Sequence, residues 1–171
     1  MSRKNAPAIG AGTVLKFLPE AIRTPQNALR AIAVGWLTAF PASMVFAAIG
    51  AFLIPQAQQP QFNVSGAAAI FALVIFSPVV ETLIMGGLLL ILLRLMPPWL
   101  AVIASAVGWG IAHSSVAPIW GLVIWWPFLV LSTLFVAWRQ RSLGLAFLLP
   151  MVAHGLHNLP TALLVANGIN V

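Results

Sequence analysis

The chain has 171 residues, of which 61% are hydrophobic and only 6% charged, with a mean hydropathy of +1.04. A soluble domain carries about 25% charged residues, so this composition excludes a water-covered globule and points to an integral membrane protein in a lipid bilayer. The net charge of +6 then marks the cytoplasmic face rather than a nucleic-acid partner, and the absence of cysteine excludes disulfides, thiolate nucleophiles and thiolate metal sites.

Residues 1–30 carry five of the eight cations, Arg3, Lys4, Lys16, Arg23 and Arg30. They lack a continuous apolar core followed by a small-residue cleavage site, so no signal peptide is expected. Val14, Leu15, Leu18 and Ile22 form one face of a short interfacial helix interrupted by Pro19 and Pro25, which places this segment on the membrane surface. Five apolar stretches follow, each near the ~20 residues that a membrane helix needs: Ala31–Ile54, Ala67–Leu93, Trp99–Val116, Ile119–Trp138 and Leu143–Val165. The expected fold is therefore all-α. It is a polytopic membrane helix bundle of about five transmembrane helices over residues 31–171, plus the N-terminal segment.

Cations fall only on alternate connections. The N-terminal segment, Arg94, and the loop with Arg139 and Arg141 hold all of them, whereas the loops at 55–65 and 116–118 and the tail hold none. The positive-inside rule puts the N-terminus in the cytoplasm and the C-terminus outside.

Glu81 is the only charge between Ala67 and Leu93, and one of two acids in the chain, Glu20 being the other. An ionised carboxylate in hydrocarbon is costly and is usually paired, protonated or functional. The three histidines, His113, His154 and His157, all lie in later apolar stretches. Residues four apart share a helix face, so Trp109 stands beside His113, and His154 beside Asn158. A carboxylate near an imidazole can take a proton from water. Two converging N–H donors can stabilise an oxyanion. The parts for amide hydrolysis are thus present: Glu81 as base, His113 to orient the water, His154 and Asn158 as oxyanion donors. Polar side chains also serve as interhelical ties worth about 0.6 kcal/mol each. Four such groups on three helices favour a site over ties, but composition and spacing do not choose between hydrolysis, proton relay and metal binding.

These residues resemble the CPBP intramembrane proteases, which include the type II CAAX prenyl endopeptidases, bacteriocin-processing enzymes and abortive-infection-like bacterial proteins. That family has Glu-Glu-x-x-x-Arg on one helix, Phe-x-x-x-His on the next and His-x-x-x-Asn or Asp on a later one. Glu81 matches the first glutamate, Trp109 to His113 the second motif with Trp for Phe, and His154 to Asn158 the third in full. Thr82 stands in place of the second glutamate and Gly86 in place of the arginine. The resemblance implies an intramembrane endopeptidase acting on a membrane-associated peptide or protein, in a bacterial inner membrane. It implies catalysis by Glu81, His113, His154 and Asn158 through a glutamate-activated water without a cofactor. A zinc ion on Glu81, His113 and His154 is the alternative. Ser114 and Ser115 are expected to be helix-end residues. A non-catalytic relative of the same fold, serving as an immunity factor or scaffold, is the main rival, ahead of a small proton-coupled carrier.

On straight helices measured from their outer ends, Glu81 and His113 differ in depth by ~15 Å. A break or strong kink within three residues of Pro78 is therefore expected. It would bring the Glu81 carboxylate within about 6 Å of the His113 ring, with His154 and Asn158 facing the same polar cavity.

Overall fold

A computed structural model describes residues 8–56 and 60–169. Arg3, Lys4, residues 57–59 of the first outer loop and the last two residues of the tail lie outside the described part. Among the described residues there is no strand, and five long helices make the fold. They are α1 (Ala28–Leu53), α2 (Gly66–Leu95), α3 (Pro98–Ser114), α4 (Trp120–Arg139) and α5 (Leu143–Ala166). Four of them, α1, α2, α4 and α5, are long and apolar enough to cross a membrane. At 17 residues, α3 is the shortest, at the lower limit for a crossing.

α4 is the central post. Every residue from Pro127 to Trp138 is buried, which happens only to a helix surrounded on all sides. α1, α3 and α5 pack around it. Gly110 of α3 faces Gly121 of α4, where an added Cβ would meet the opposing backbone, so the two helices cross in close contact. A buried hydroxyl pair, Ser132 donating to Ser105 at 3.0 Å, ties the same two helices. The outer faces present Leu37, Val45, Phe52, Ile75, Leu83, Ile91, Ile111 and Leu163, the apolar belt that lipid contact calls for.

The N-terminal segment is interrupted at Pro19, as expected, but most of its apolar face turns into the bundle instead of lying on the membrane surface. Pro19 divides it into a 3-10 turn at Val14–Phe17 and one α-turn at Glu20–Arg23. Leu15, Leu18 and Ile22 are buried in the common core, and Ile22 packs near Gly35 of α1. Arg141, at the α4–α5 turn, donates to the carbonyls of Pro25 and Gln26 and lies over the Trp138 ring. Segment and bundle are thereby joined at the cation-bearing end.

Of the break or strong kink expected near Pro78, the break is absent: α2 stays helical across it. Instead, Phe71–Phe76 is a π-helical segment immediately before Ser77 and Pro78. The depth mismatch disappears when heights are counted from the turn that α2 and α3 share. Glu81 lies 14 positions before Leu95 and His113 lies 15 positions after Pro98. At ~1.5 Å per residue the two stand level, ~21–23 Å above that turn. α2 overshoots at its far end, and α3 stops early.

Candidate active site

Glu81 points from α2 toward α3 and α5. Its Oε2 lies 3.9 Å from His113 Nε2 and 3.9 Å from His154 Nε2. The side chains are 22%, 14% and 6% exposed, so the cluster is largely shielded yet still open to a cavity. The other carboxylate oxygen, Oε1, accepts a hydrogen bond from Ser77 Oγ, one helical turn earlier. One oxygen is thereby held by α2 itself, and the other is free to face the histidines.

His113 is fixed by its own helix. Its Nδ1 lies 2.9 Å from the carbonyl oxygen of Trp109. A carbonyl can only accept, so Nδ1 carries a proton, and in the neutral ring Nε2 presents a lone pair toward Glu81. Aromatic rings set the plane of the imidazole: Trp120 meets it edge-on at 5.0 Å, and Trp109 and Phe128 flank it at 5.7 and 5.8 Å. Phe128 also meets His154 edge-on at 5.3 Å, so one ring of the central helix positions both histidines. His154 Nδ1 is buried without a hydrogen-bond partner, which leaves the Nε2 side as its one engaged edge.

Asn158 lines the same cavity, but its amide has a structural duty. Nδ2 donates to the carbonyl of Leu73 at 3.0 Å. The cause lies in the π segment. Ser77 N–H bonds back to Ala72, and the next residue, Pro78, has no N–H, so the Leu73 carbonyl loses both of the donors that could reach it within the helix. Asn158 of α5 satisfies it. One proton of the amide is committed there, and the second remains. α5 comes this close because residue 155 is glycine: a Cβ there would stand 2.7 Å from the Val74 carbonyl oxygen.

The cavity that Glu81, His113, His154 and Asn158 share has a volume of about 240 Å³. Ser77, His157 and Thr161 add polar groups, and Phe40, Met44, Ile124 and Phe128 supply apolar walls. Ser77 and His157 received no role from the sequence. The signal for Ser77 was its i, i+4 spacing to Glu81; for His157, its place within the third motif. The ring of His157 meets Phe40 edge-on at 5.8 Å, and its Nδ1 is buried without a partner.

Of the two departures from the family motif, the one at Gly86 is filled by packing. A Cβ on Gly86 would lie 2.2 Å from Phe147 and 2.6 Å from Phe135. Two aromatic rings therefore fill the space that an arginine would need. Thr82 is fully buried, and its hydroxyl has no partner.

The residues that a zinc ion would use are Glu81, His113 and His154. Metal-bound imidazoles have their second nitrogen held by an acceptor. His113 has one in the Trp109 carbonyl; His154 has none. Among the described residues no group of three His, Cys, Asp or Glu side chains is arranged to hold a metal ion.

A family model described as Rce1-like, type II CAAX prenyl endopeptidase Rce1-like, matches residues 63–160, a stretch that contains all three motifs. No curated protein and no solved structure matches the chain.

Proposed function

Since the chain belongs to the Rce1-like family of type II CAAX prenyl endopeptidases, matched over more than half of its length, we propose that it is an intramembrane endopeptidase that hydrolyses a peptide bond with a water activated by Glu81 and His113. The observation that carries this reading is the placement of Glu81 Oε2 at 3.9 Å from both His113 Nε2 and His154 Nε2. That distance is too long for a hydrogen bond and suits a bridging water.

With Nδ1 of His113 donating to Trp109, its Nε2 accepts one water proton while Glu81 Oε2 accepts the other. Both protons of the water are then engaged, and an oxygen lone pair is directed at the substrate carbonyl. As the C–O bond forms, Glu81 takes the proton from the water. His154 Nε2–H and the second N–H of Asn158 donate to the developing oxyanion. Collapse breaks the C–N bond, and the proton on Glu81 passes to the departing amine. The substrate is a membrane-associated peptide or protein, and the reaction needs no acyl-enzyme.

The test is cleavage of membrane-anchored reporter peptides by the purified protein in proteoliposomes. Glu81→Gln keeps the shape of the side chain and removes the base. Its expected effect is a ~10²–10⁴-fold loss of rate at unchanged protein level. Equal function of wild type and Glu81→Gln in the cell would favour the rival reading, a non-catalytic immunity factor or scaffold. One observation supports that rival: the filling of the family's arginine position by Phe147 and Phe135.

A further inference from the structure

The cavity occupies only one half of the bundle. On α1 its lining runs from Phe40 to Ala51, toward the helix end at Leu53. On α2 it runs from Glu81 back toward Gly66, and on α5 from His154 forward toward Ala166. Pro60 and Phe62 of the α1–α2 loop and Ile119 and Trp120 at the start of α4 line its far end, where the Phe62 and Trp120 rings meet edge-on at 6.0 Å. Apart from Phe40, Glu81 and His154, which stand at the midpoints of their helices, every helical lining residue comes from this half, and no lining residue is Lys or Arg.

Five of the six described cations sit at the opposite end of the molecule. Arg23 and Arg30 precede or begin α1, Arg94 ends α2, and Arg139 and Arg141 flank the α4–α5 turn, whereas Lys16 adjoins Phe17, whose ring stacks on Trp126 of α4. Cytoplasmic connections collect Lys and Arg, whereas translocated ones do not. The cation end is then the cytoplasmic end, and the cavity, with Phe62 and Trp120 at its far end, lies toward the other face.

We propose that the site takes its substrate from the extracytoplasmic side. Its substrates would be membrane-anchored polypeptides whose scissile segment is apolar and uncharged and enters from the outer leaflet. No Lys or Arg lines the cavity to offset a substrate carboxylate beside the like charge of Glu81, so the scissile bond lies inside a chain rather than next to a free C-terminus. The nature of the occupant rests on the proteolytic reading above; the sidedness does not.

The chain has no cysteine, so single cysteines report accessibility without background. Thr161→Cys places a thiol in the cavity, Ala51→Cys provides a second position on its lining, and Gln140→Cys marks the cation end. A small charged methanethiosulfonate reagent is added to right-side-out and to inverted membrane vesicles. Thr161→Cys and Ala51→Cys are expected to react at least ten-fold faster in right-side-out vesicles, and Gln140→Cys at least ten-fold faster in inverted ones. Reaction of the cavity thiols only in inverted vesicles overturns the proposal, whether or not the protein cleaves anything. A single-span reporter with an apolar outward-facing segment supplies the second arm. Its cleavage by wild type but not by Glu81→Gln supports the proposal. Outward labelling without any such cleavage overturns the proteolytic reading on which the substrate class rests and leaves the accessibility standing.

Discussion

Gly86 shows how a single position can record what a site has given up. Its Cα faces Phe147 and Phe135 so closely that even a methyl group would overlap both rings. Gly86→Arg, which restores the family residue, would have to displace this aromatic pair and bury a cation beside Thr82, which bears no charge. Overpacking alone costs about 1–3 kcal/mol, and an unpaired buried charge adds several more. The expected outcome is a clear fall in thermal midpoint in detergent. The double variant Thr82→Glu with Gly86→Arg should recover little, because the partner charge does not create space. The metal reading is tested at the same scale. With His154 Nδ1 lacking an acceptor, a tight chelator is expected to leave peptide cleavage unchanged; loss of cleavage, restored by zinc alone, would contradict a metal-free site. Glu81, His113 and His154 were legible in the sequence because charge and imidazole are rare in an apolar chain. Ser77 was not, since a serine in a membrane helix usually bonds back to its own backbone. The second duty of Asn158 was equally hidden, because its partner is a carbonyl of another helix, Leu73, which no side-chain pattern encodes.

Among the elements, α2 carries the largest departure from expectation. A proline at 78 was legible as a disturbance, but not the form it takes. The helix absorbs the missing N–H by widening to a π segment over Phe71–Phe76, and it passes the orphaned carbonyl to α5. The sequence-based depth argument failed for a simple geometric reason. It measured from the outer ends, where helices of unequal length stop at different heights, instead of from the short turn at residues 96–97 that fixes α2 and α3 at a common level. The clamp between Asn158 and Leu73 yields a coupled prediction. Asn158→Ala leaves the carbonyl unsatisfied at a cost of about 1–3 kcal/mol. Pro78→Ala returns an N–H that can reach the carbonyl from within the helix. In the Pro78→Ala background, Asn158→Ala should therefore cost ~1 kcal/mol less than in wild type, read from denaturant unfolding in detergent as a double-mutant cycle. Strict additivity of the two substitutions would mean that Asn158 does not act through this carbonyl.

For the whole molecule, what matters is whether the number of crossings is odd. α1 begins at the end that bears Arg30, and α5 finishes at Ala166, at the end where the cavity lies. The helix most at risk in this count is α3, with 17 residues. Its ends answer the doubt. It begins two residues after α2 stops, on the Arg94 side, and its last turn holds His113 level with Glu81 and close to the start of α4. Were α3 only to dip into the bilayer and return, α4 would start on the cation side, and Arg139 and Arg141 would be carried across the membrane, against the bias that governs every other connection. Paired reporter fusions distinguish the two arrangements. A phosphatase that works only outside the cytoplasm should be active when fused after Val171 and inactive when fused after Gln140. A fluorescent protein that folds only in the cytoplasm should give the reverse pattern. Phosphatase activity at Gln140 together with cytoplasmic fluorescence at Val171 would reduce the crossings to four and reverse α4 and α5. Such a reversal would also part His154 from Glu81, so the 3.9 Å contact between them and the five-crossing topology stand or fall together.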